Sequence, residues 1–165
     1  MSSVAFATLA AGAVAATLVD LRTRRIPNVL TASMCALGLG FAAAGISGIT
    51  FWMALTGMVL GLALMLPGHL LGATGAGDVK FMAAVGAIVG PATVVTAFLF
   101  TAIAGGVLAL IVAIRRRRFS TTVARTGRLL AGADGTVQEI RAERANRFAY
   151  GPAIAVGSVL AALAG

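Results

Sequence analysis

Two aspartates, Asp20 and Asp78, have the residue type and the position that acid–base chemistry requires. Asp20 stands where the first apolar run of the chain ends, and Asp78 follows a glycine-rich turn and directly precedes another apolar run. A carboxylate at the edge of a hydrocarbon-soluble helix is energetically costly, and such acids commonly mark functional sites. Two carboxylates that share one proton titrate in two separate steps, so one can activate a water while the other protonates a leaving amine. The pair therefore predicts peptide hydrolysis without a metal or a nucleophilic serine.

A purely structural interpretation of the two acids stays open at this point. Each carboxylate could cap a helix or pair with a nearby cation at the membrane surface, Arg22 for Asp20 and Lys80 for Asp78. The other three acids lie in an arginine-rich stretch, where water and partners are plentiful. Asp20 and Asp78 are thus the two carboxylates at helix ends that could meet between helices.

The composition predicts an all-α membrane protein. Of 165 residues, 59% are hydrophobic and 11% are charged, and the mean hydropathy is +0.99. A soluble domain of this size cannot bury so much apolar surface, so lipid must solvate most of it. The 21 glycines suit close helix packing in a bilayer. The net charge of +8 does not indicate nucleic acid, because the cations are not interleaved with stacking aromatic residues.

Six apolar runs predict six transmembrane helices in a single domain that covers residues 1–165. The runs are 4–19, 29–46, 51–66, 79–89, 92–114 and 150–164, with breaks expected at Pro67-Gly68 and Gly90-Pro91. The fourth run is short: about 11 residues rise only about 16–17 Å, against about 30 Å of hydrocarbon. Asp78 would then lie below the membrane surface. Irregular backbone at that depth is tolerated beside protein or a water-filled cavity, so the short helix predicts a wet, sunken site.

The distribution of cations predicts the orientation of the chain. With both termini outside, the inner segments are 20–28, 67–80 and 115–147, and these hold all 13 lysines and arginines. The positive-inside rule is then satisfied, and both aspartates lie at the cytoplasmic side. The first run has no cation before it, so we expect a retained helix in preference to a cleaved signal. The basic loop 115–147 is expected to fix the orientation, with binding of anionic lipid as the alternative.

Three segments of the chain resemble the type IV prepilin peptidase family, the bacterial GxGD-type intramembrane aspartyl proteases. They are Asp20-x-Arg22-x-x-x-Ile26-Pro27-Asn28, Gly75-x-Gly77-Asp78-Val79-Lys80 and Tyr150-Gly151-Pro152-Ala153-Ile154-Ala155. A lone GxGD would be a weak signal in a glycine-rich chain. Three motifs in order on a six-helix frame are specific, and the resemblance covers the chain apart from residues 115–147.

The resemblance implies an aspartyl endopeptidase whose catalytic dyad is Asp20 and Asp78. The residues that it implies as active-site support are Arg22, Ile26, Pro27, Asn28, Gly75, Gly77, Lys80, Tyr150, Gly151 and Pro152. The implied substrate is a prepilin, with a short basic leader cleaved at the cytoplasmic edge of the cell membrane ahead of a hydrophobic helix. The implied partners are this substrate, membrane lipids and the pilus assembly machinery, and no cofactor is expected.

Two departures from the family pattern qualify the resemblance. Longer members carry an N-terminal cytoplasmic domain with paired cysteines that is linked to methylation of the new N-terminus. This chain has one cysteine, Cys35, and resembles the short forms that serve Flp/Tad pili, so methyltransferase activity is not expected. Ala149 also stands where the family often has a proline.

The alternative functions are a proton- or ion-coupled transporter and a non-catalytic scaffold for pilus assembly. A transporter relay through the two aspartates predicts an inverted repeat, and the two acidic turns do not occupy equivalent places in the two halves. An intact acid pair argues against a scaffold. His69 is the one histidine, and with Cys35 as the one cysteine no metal site is expected.

Overall fold

The computed structural model describes residues 1–72, 74–115 and 150–164, and these ranges are helical with no strand. The helices are α1 (Ser3–Thr23), α2 (Asn28–Ala43), α3 (Phe51–Leu70), α4 (Ala76–Arg115) and α5 (Gly151–Ala164). Three segments are long and apolar enough to cross a membrane, namely Ser3–Thr23, Phe51–Leu70 and Ala76–Val107, while α2 and α5 are shorter apolar helices. The all-α prediction is confirmed. The basic loop, apart from Arg115 at the end of α4, lies outside the described residues, as does Ala149.

Helix α1 runs one turn further than the hydropathy pattern predicts. The apolar run ends at Val19, but the helix continues to Thr23, so Asp20 lies inside its last turn. The end is formed by Arg24, whose φ of 53° is left-handed and whose backbone N–H donates to the Asp20 carbonyl at 2.7 Å. This left-handed cap satisfies a terminal carbonyl and turns the chain sharply toward α2.

Helix α3 passes through the break that Pro67-Gly68 was expected to make, and that prediction is wrong. Proline removes one backbone donor, but the carbonyls that follow keep their bonds. The Pro67 carbonyl accepts from Leu71 N at 3.0 Å, and the Gly68 carbonyl accepts from Thr74 N at 3.2 Å. The last turn therefore closes, and the helix ends at Leu70.

Helix α4 contains both the fourth and the fifth apolar runs, which the sequence predicts as two separate helices, and it is interrupted at Gly90, where the break was expected. Gly90 has φ 80° and ψ 178°, a conformation that glycine adopts without a side-chain clash. The helix begins at Ala76, earlier than the expected Val79, so Asp78 belongs to its first turn. Its segment 76–89 has about 14 residues and a rise of about 21 Å.

The first segment of α4 is the centre of the bundle. Helix α4 packs against each of the other four described helices. The side chains of Phe81, Met82 and Val85 are fully buried in it. Its approach to α3 is backbone to backbone: a Cβ built on Gly57 would collide with the Gly86 carbonyl oxygen, and one built on Gly86 with that of Gly57. Small residues thus bring the two helices into direct contact.

Different segments of the chain lie at the two ends of the bundle. At one end Ser2 N donates to the Ser47 carbonyl at 3.2 Å, and Gly90 lies beside Ile49 of the α2–α3 loop. At the opposite end are the last turn of α1, the start of α4 and the start of α5.

Large apolar side chains are exposed on the outer faces of the helices, Trp52 at 70% among them. An exposed apolar surface of this kind is typical of a membrane protein.

Candidate active site

Asp20 is buried at the junction of α1 and α5. Its side chain is 4% exposed, and its Oδ2 accepts the backbone N–H of Gly151 at 3.0 Å. That donor comes from the start of α5, where the first N–H groups of a helix have no partner within the helix. A Cβ at position 151 would lie 2.7 Å from the same Oδ2. Only glycine therefore allows the amide to approach the carboxylate this closely.

Asp78 is buried in the first turn of α4. Its side chain is 7% exposed, and its Oδ2 accepts the Gly75 N–H at 2.8 Å. A second hydrogen bond joins the same two residues: the Gly75 carbonyl accepts from Asp78 N at 3.1 Å. A carboxylate in this position also faces the positive end of the helix dipole. The glycine turn and the helix together fix the direction of the side chain.

Both aspartates line one pocket of about 430 Å³. The pocket brings together the last turn of α1, the α1–α2 turn and the start of α4. Its lining residues are Asp20, Arg24, Arg25, Ile26, Pro27, Asn28, Gly75, Ala76, Gly77, Asp78 and Lys80. Six of the ten residues that the resemblance implies as active-site support line this pocket, namely Ile26, Pro27, Asn28, Gly75, Gly77 and Lys80, whereas Arg22, Tyr150, Gly151 and Pro152 do not.

The exposed Arg22 does not line the pocket, while Arg24 and Arg25 do. Residues two apart on a helix do not face each other, so Arg22 points away from Asp20 while α1 continues. The left-handed turn at Arg24 then carries the next residues to the pocket. The sequence pattern did not indicate Arg24 or Arg25 as site residues, because the apolar run ends before Asp20 and gives no sign of the left-handed turn.

The α1–α2 turn packs directly against the glycine turn before α4. Ile26 is buried, and a Cβ built on Gly77 would lie 3.2 Å from the Ile26 Cβ. Pro27 precedes α2 in an extended conformation and occupies its N-cap position. Across the pocket mouth Lys80 Nζ donates to Asn28 Oδ1 at 2.9 Å. Residues of the first and second motifs are therefore in contact.

The third motif supports the pocket from outside its lining. Gly151 reaches Asp20 through its amide, and Pro152 is half-buried in the first turn of α5. Tyr150 is half-buried, with its ring against Gly105 of α4.

His69 has a structural position. Its Nδ1 lies 3.1 Å from the Thr74 carbonyl oxygen and ties the end of α3 to the turn before α4. It does not line the pocket. Within residues 1–72, 74–115 and 150–164, no three His, Cys, Asp or Glu side chains are grouped so that they could hold a metal ion.

A model of the type IV leader peptidase family matches residues 7–110 of the chain. The chain belongs to the type IV leader peptidase family. The matched region contains both aspartates and the whole pocket lining, and it ends before Tyr150. Membership implies a peptidase that acts on prepilin-type substrates. Comparison with curated proteins found no match, and comparison with solved structures found none either.

Proposed function

We propose that the pocket is the active site of a membrane-embedded aspartyl endopeptidase that removes the leader from a prepilin. The observation that carries the proposal is that Asp20 and Asp78, on separate helices, line the same pocket. In each, Oδ2 accepts a backbone amide: for Asp20 that of Gly151, at the start of α5, and for Asp78 that of Gly75, in the turn directly before α4. Backbone amides that hold a carboxylate in place reduce the reorganisation that it needs before it acts.

The proposed reaction uses one ionised and one protonated carboxyl group. The ionised group accepts a proton from water as the water oxygen bonds to the scissile carbonyl carbon. The protonated group first stabilises the carbonyl oxygen, and a proton then passes to the peptide nitrogen as the C–N bond breaks. The products are a leader with a new carboxyl end and a pilin with a new amino end, and the pair regains its shared proton.

The packing of α3 on α4 supports a site below the membrane surface. Gly57 contacts Gly86, and Gly61 contacts Met82, so the two helices run antiparallel and Asp78 lies about level with Met65. Helix α3 continues five residues further, to Leu70, which is a rise of about 7–8 Å. Water could reach this depth through the pocket, and a scissile bond at the edge of a hydrophobic helix would lie at the same level.

The same proposal includes the topology expected from the sequence. It has six spans, both termini outside, and the pocket at the cytoplasmic face of the cell membrane. The distribution of all 13 lysines and arginines supports it, as does the position of the N-terminus and the α2–α3 loop at the end opposite the pocket. The further proposed features are service to Flp/Tad-type pili without methyltransferase activity, the lipid contacts and the partnership with the pilus machinery.

Leader cleavage in isolated membranes tests the activity. Membranes that contain the protein are mixed with a prepilin bearing a basic leader, and the mass and N-terminal sequence of the product are determined. We expect cleavage at the junction between leader and hydrophobic helix, unaffected by serine-protease inhibitors or chelators, and no cleavage in Asp78→Asn membranes. Loss of cleavage on chelation would contradict the aspartyl mechanism and indicate a metal.

A further inference from the structure

The start of α5 is held on two sides. On one side the Gly151 N–H donates to Asp20 Oδ2 at 3.0 Å. On the other, the ring of the preceding residue, Tyr150, lies against α4 at Gly105. The Tyr150 carbonyl accepts from Ile154 N at 3.0 Å, which makes the link part of the first turn of α5. A displacement of the ring therefore acts on the backbone that carries the amide.

The ring of Tyr150 packs directly against Gly105. Gly105 is buried, and a Cβ built on it would lie 2.6 Å from Tyr150 Cε1 and 3.3 Å from Cζ. Carbon atoms in contact are about 3.5–4.0 Å apart, so the ring would have to move by about 1 Å to admit a methyl group. Gly105 itself is not a pocket-lining residue. The next residue, Gly106, is exposed and would meet nothing within 4 Å.

We propose that Gly105 is a positioning residue for the catalytic aspartate: the absence of a side chain there seats the Tyr150 ring, and the seated ring fixes the Gly151 amide that orients Asp20. The proposal rests on the proposed function, since it assigns Asp20 a catalytic role. The proposal extends the site to the part of α4 that follows Gly90, which contains no residue of the pocket lining.

A bulkier residue at position 105 should affect the chemical step more than substrate binding. The prepilin meets the pocket, which Gly105 does not line, so KM should change little. A shift of about 1 Å in a catalytic group can cost up to about 100-fold in rate. Because only part of the ring displacement would reach the Gly151 amide, we expect kcat to fall about tenfold.

The adjacent glycines provide a matched pair of variants. Gly105→Ala and Gly106→Ala both replace glycine by a better helix former, so neither should weaken α4 as a helix. The kcat and KM of each are measured on the purified full-length enzyme with the prepilin as substrate. We expect a fall in kcat at an unchanged KM for Gly105→Ala, and wild-type values for Gly106→Ala.

A double-mutant cycle tests whether the effect passes through the ring. Tyr150→Val removes the atoms that the new methyl group would meet, and by itself it should lower kcat because the amide loses its support. In that background Gly105→Ala should have no further effect, since residues that act through one contact are not additive. Tyr150→Val alone also tests the proposal if Gly105→Ala does not accumulate in membranes.

The proposal is overturned if Gly105→Ala keeps wild-type kcat, if Gly106→Ala is impaired as strongly, or if Gly105→Ala lowers kcat equally with and without the ring. It is also overturned if Tyr150→Val keeps wild-type kcat. Failure of the proposed function would look different, because Asp78→Asn would then still cleave the prepilin. The active wild type is the reference for every variant.

Discussion

Lys80 Nζ donates to Asn28 Oδ1 at 2.9 Å and so connects α4 to α2 at the mouth of the pocket. The two residues belong to separate motifs, 52 positions apart in the chain. Both line the pocket that holds Asp20 and Asp78. The contact therefore joins the first and second motifs at the pocket.

Removal of this contact should have a modest effect on activity. An intramolecular hydrogen bond contributes about 0.5–1.5 kcal/mol, so Lys80→Met should lower kcat/KM by about two- to tenfold. Asn28→Ala should cost about the same, and the double variant no more than either, because one contact is lost in all three. Arg22→Gln is the control, since it removes a cation outside the pocket lining. A loss in the double variant equal to the product of the single losses would contradict a shared contact.

The two amide donors to the aspartates predict a graded effect of alanine. A Cβ at Gly151 would lie 2.7 Å from Asp20 Oδ2, and one at Gly75 would lie 3.1 Å from Asp78 Oδ2. We expect Gly151→Ala to lower kcat by about 100-fold, the scale of a 1 Å misplacement of a catalytic group, and Gly75→Ala to cost less. Gly40→Ala, which would meet nothing within 4 Å, should behave as wild type. Equal activity of all three variants would show that these amides do not orient the acids.

The α3–α4 crossing predicts a stability effect without any contact to the pocket. A methyl group on Gly57 would collide with the backbone of Gly86, and overpacking of this kind costs about 1–3 kcal/mol. At about 2–4 °C per kcal/mol for a chain of this size, the Tm of Gly57→Ala in detergent should fall by several degrees. Gly106→Ala should leave it unchanged. An unchanged Tm for Gly57→Ala would mean that the helices cross at a greater distance.

The orientation can be measured with a thiol reagent that does not cross membranes. In a Cys35→Ser background, Ile46→Cys places a thiol in the α2–α3 loop, where the side chain is 47% exposed. Arg22→Cys places one at the end of the bundle that holds the pocket, on an exposed side chain. On intact cells we expect labelling of position 46 only, with position 22 labelled after permeabilisation. The reverse pattern would put the pocket outside.

The hydropathy and charge patterns predicted the helical class, an interruption at Gly90-Pro91 and the position of both aspartates at the same end of the bundle. They did not predict the ends of the helices, because these depend on backbone bonds that hydropathy does not encode. The left-handed cap at Arg24 extends α1 past Asp20, and the bonds after Pro67 extend α3 to Leu70. The arginines that line the pocket were missed for the same reason. The amide of Gly151 on Asp20 is a tertiary contact between residues 131 positions apart, and no local pattern indicates it.

The most direct test of the aspartate pair compares the two single substitutions with the double one. Rates of prepilin cleavage are measured for the purified Asp20→Asn, Asp78→Asn and double variants, with correct insertion checked by thiol labelling at position 46. Catalytic residues that act as a unit are strongly non-additive. We predict that each single variant falls to the uncatalysed rate and that the double variant is no slower. Partial losses that multiply in the double variant, or either single variant that still cleaves, would contradict a shared catalytic role.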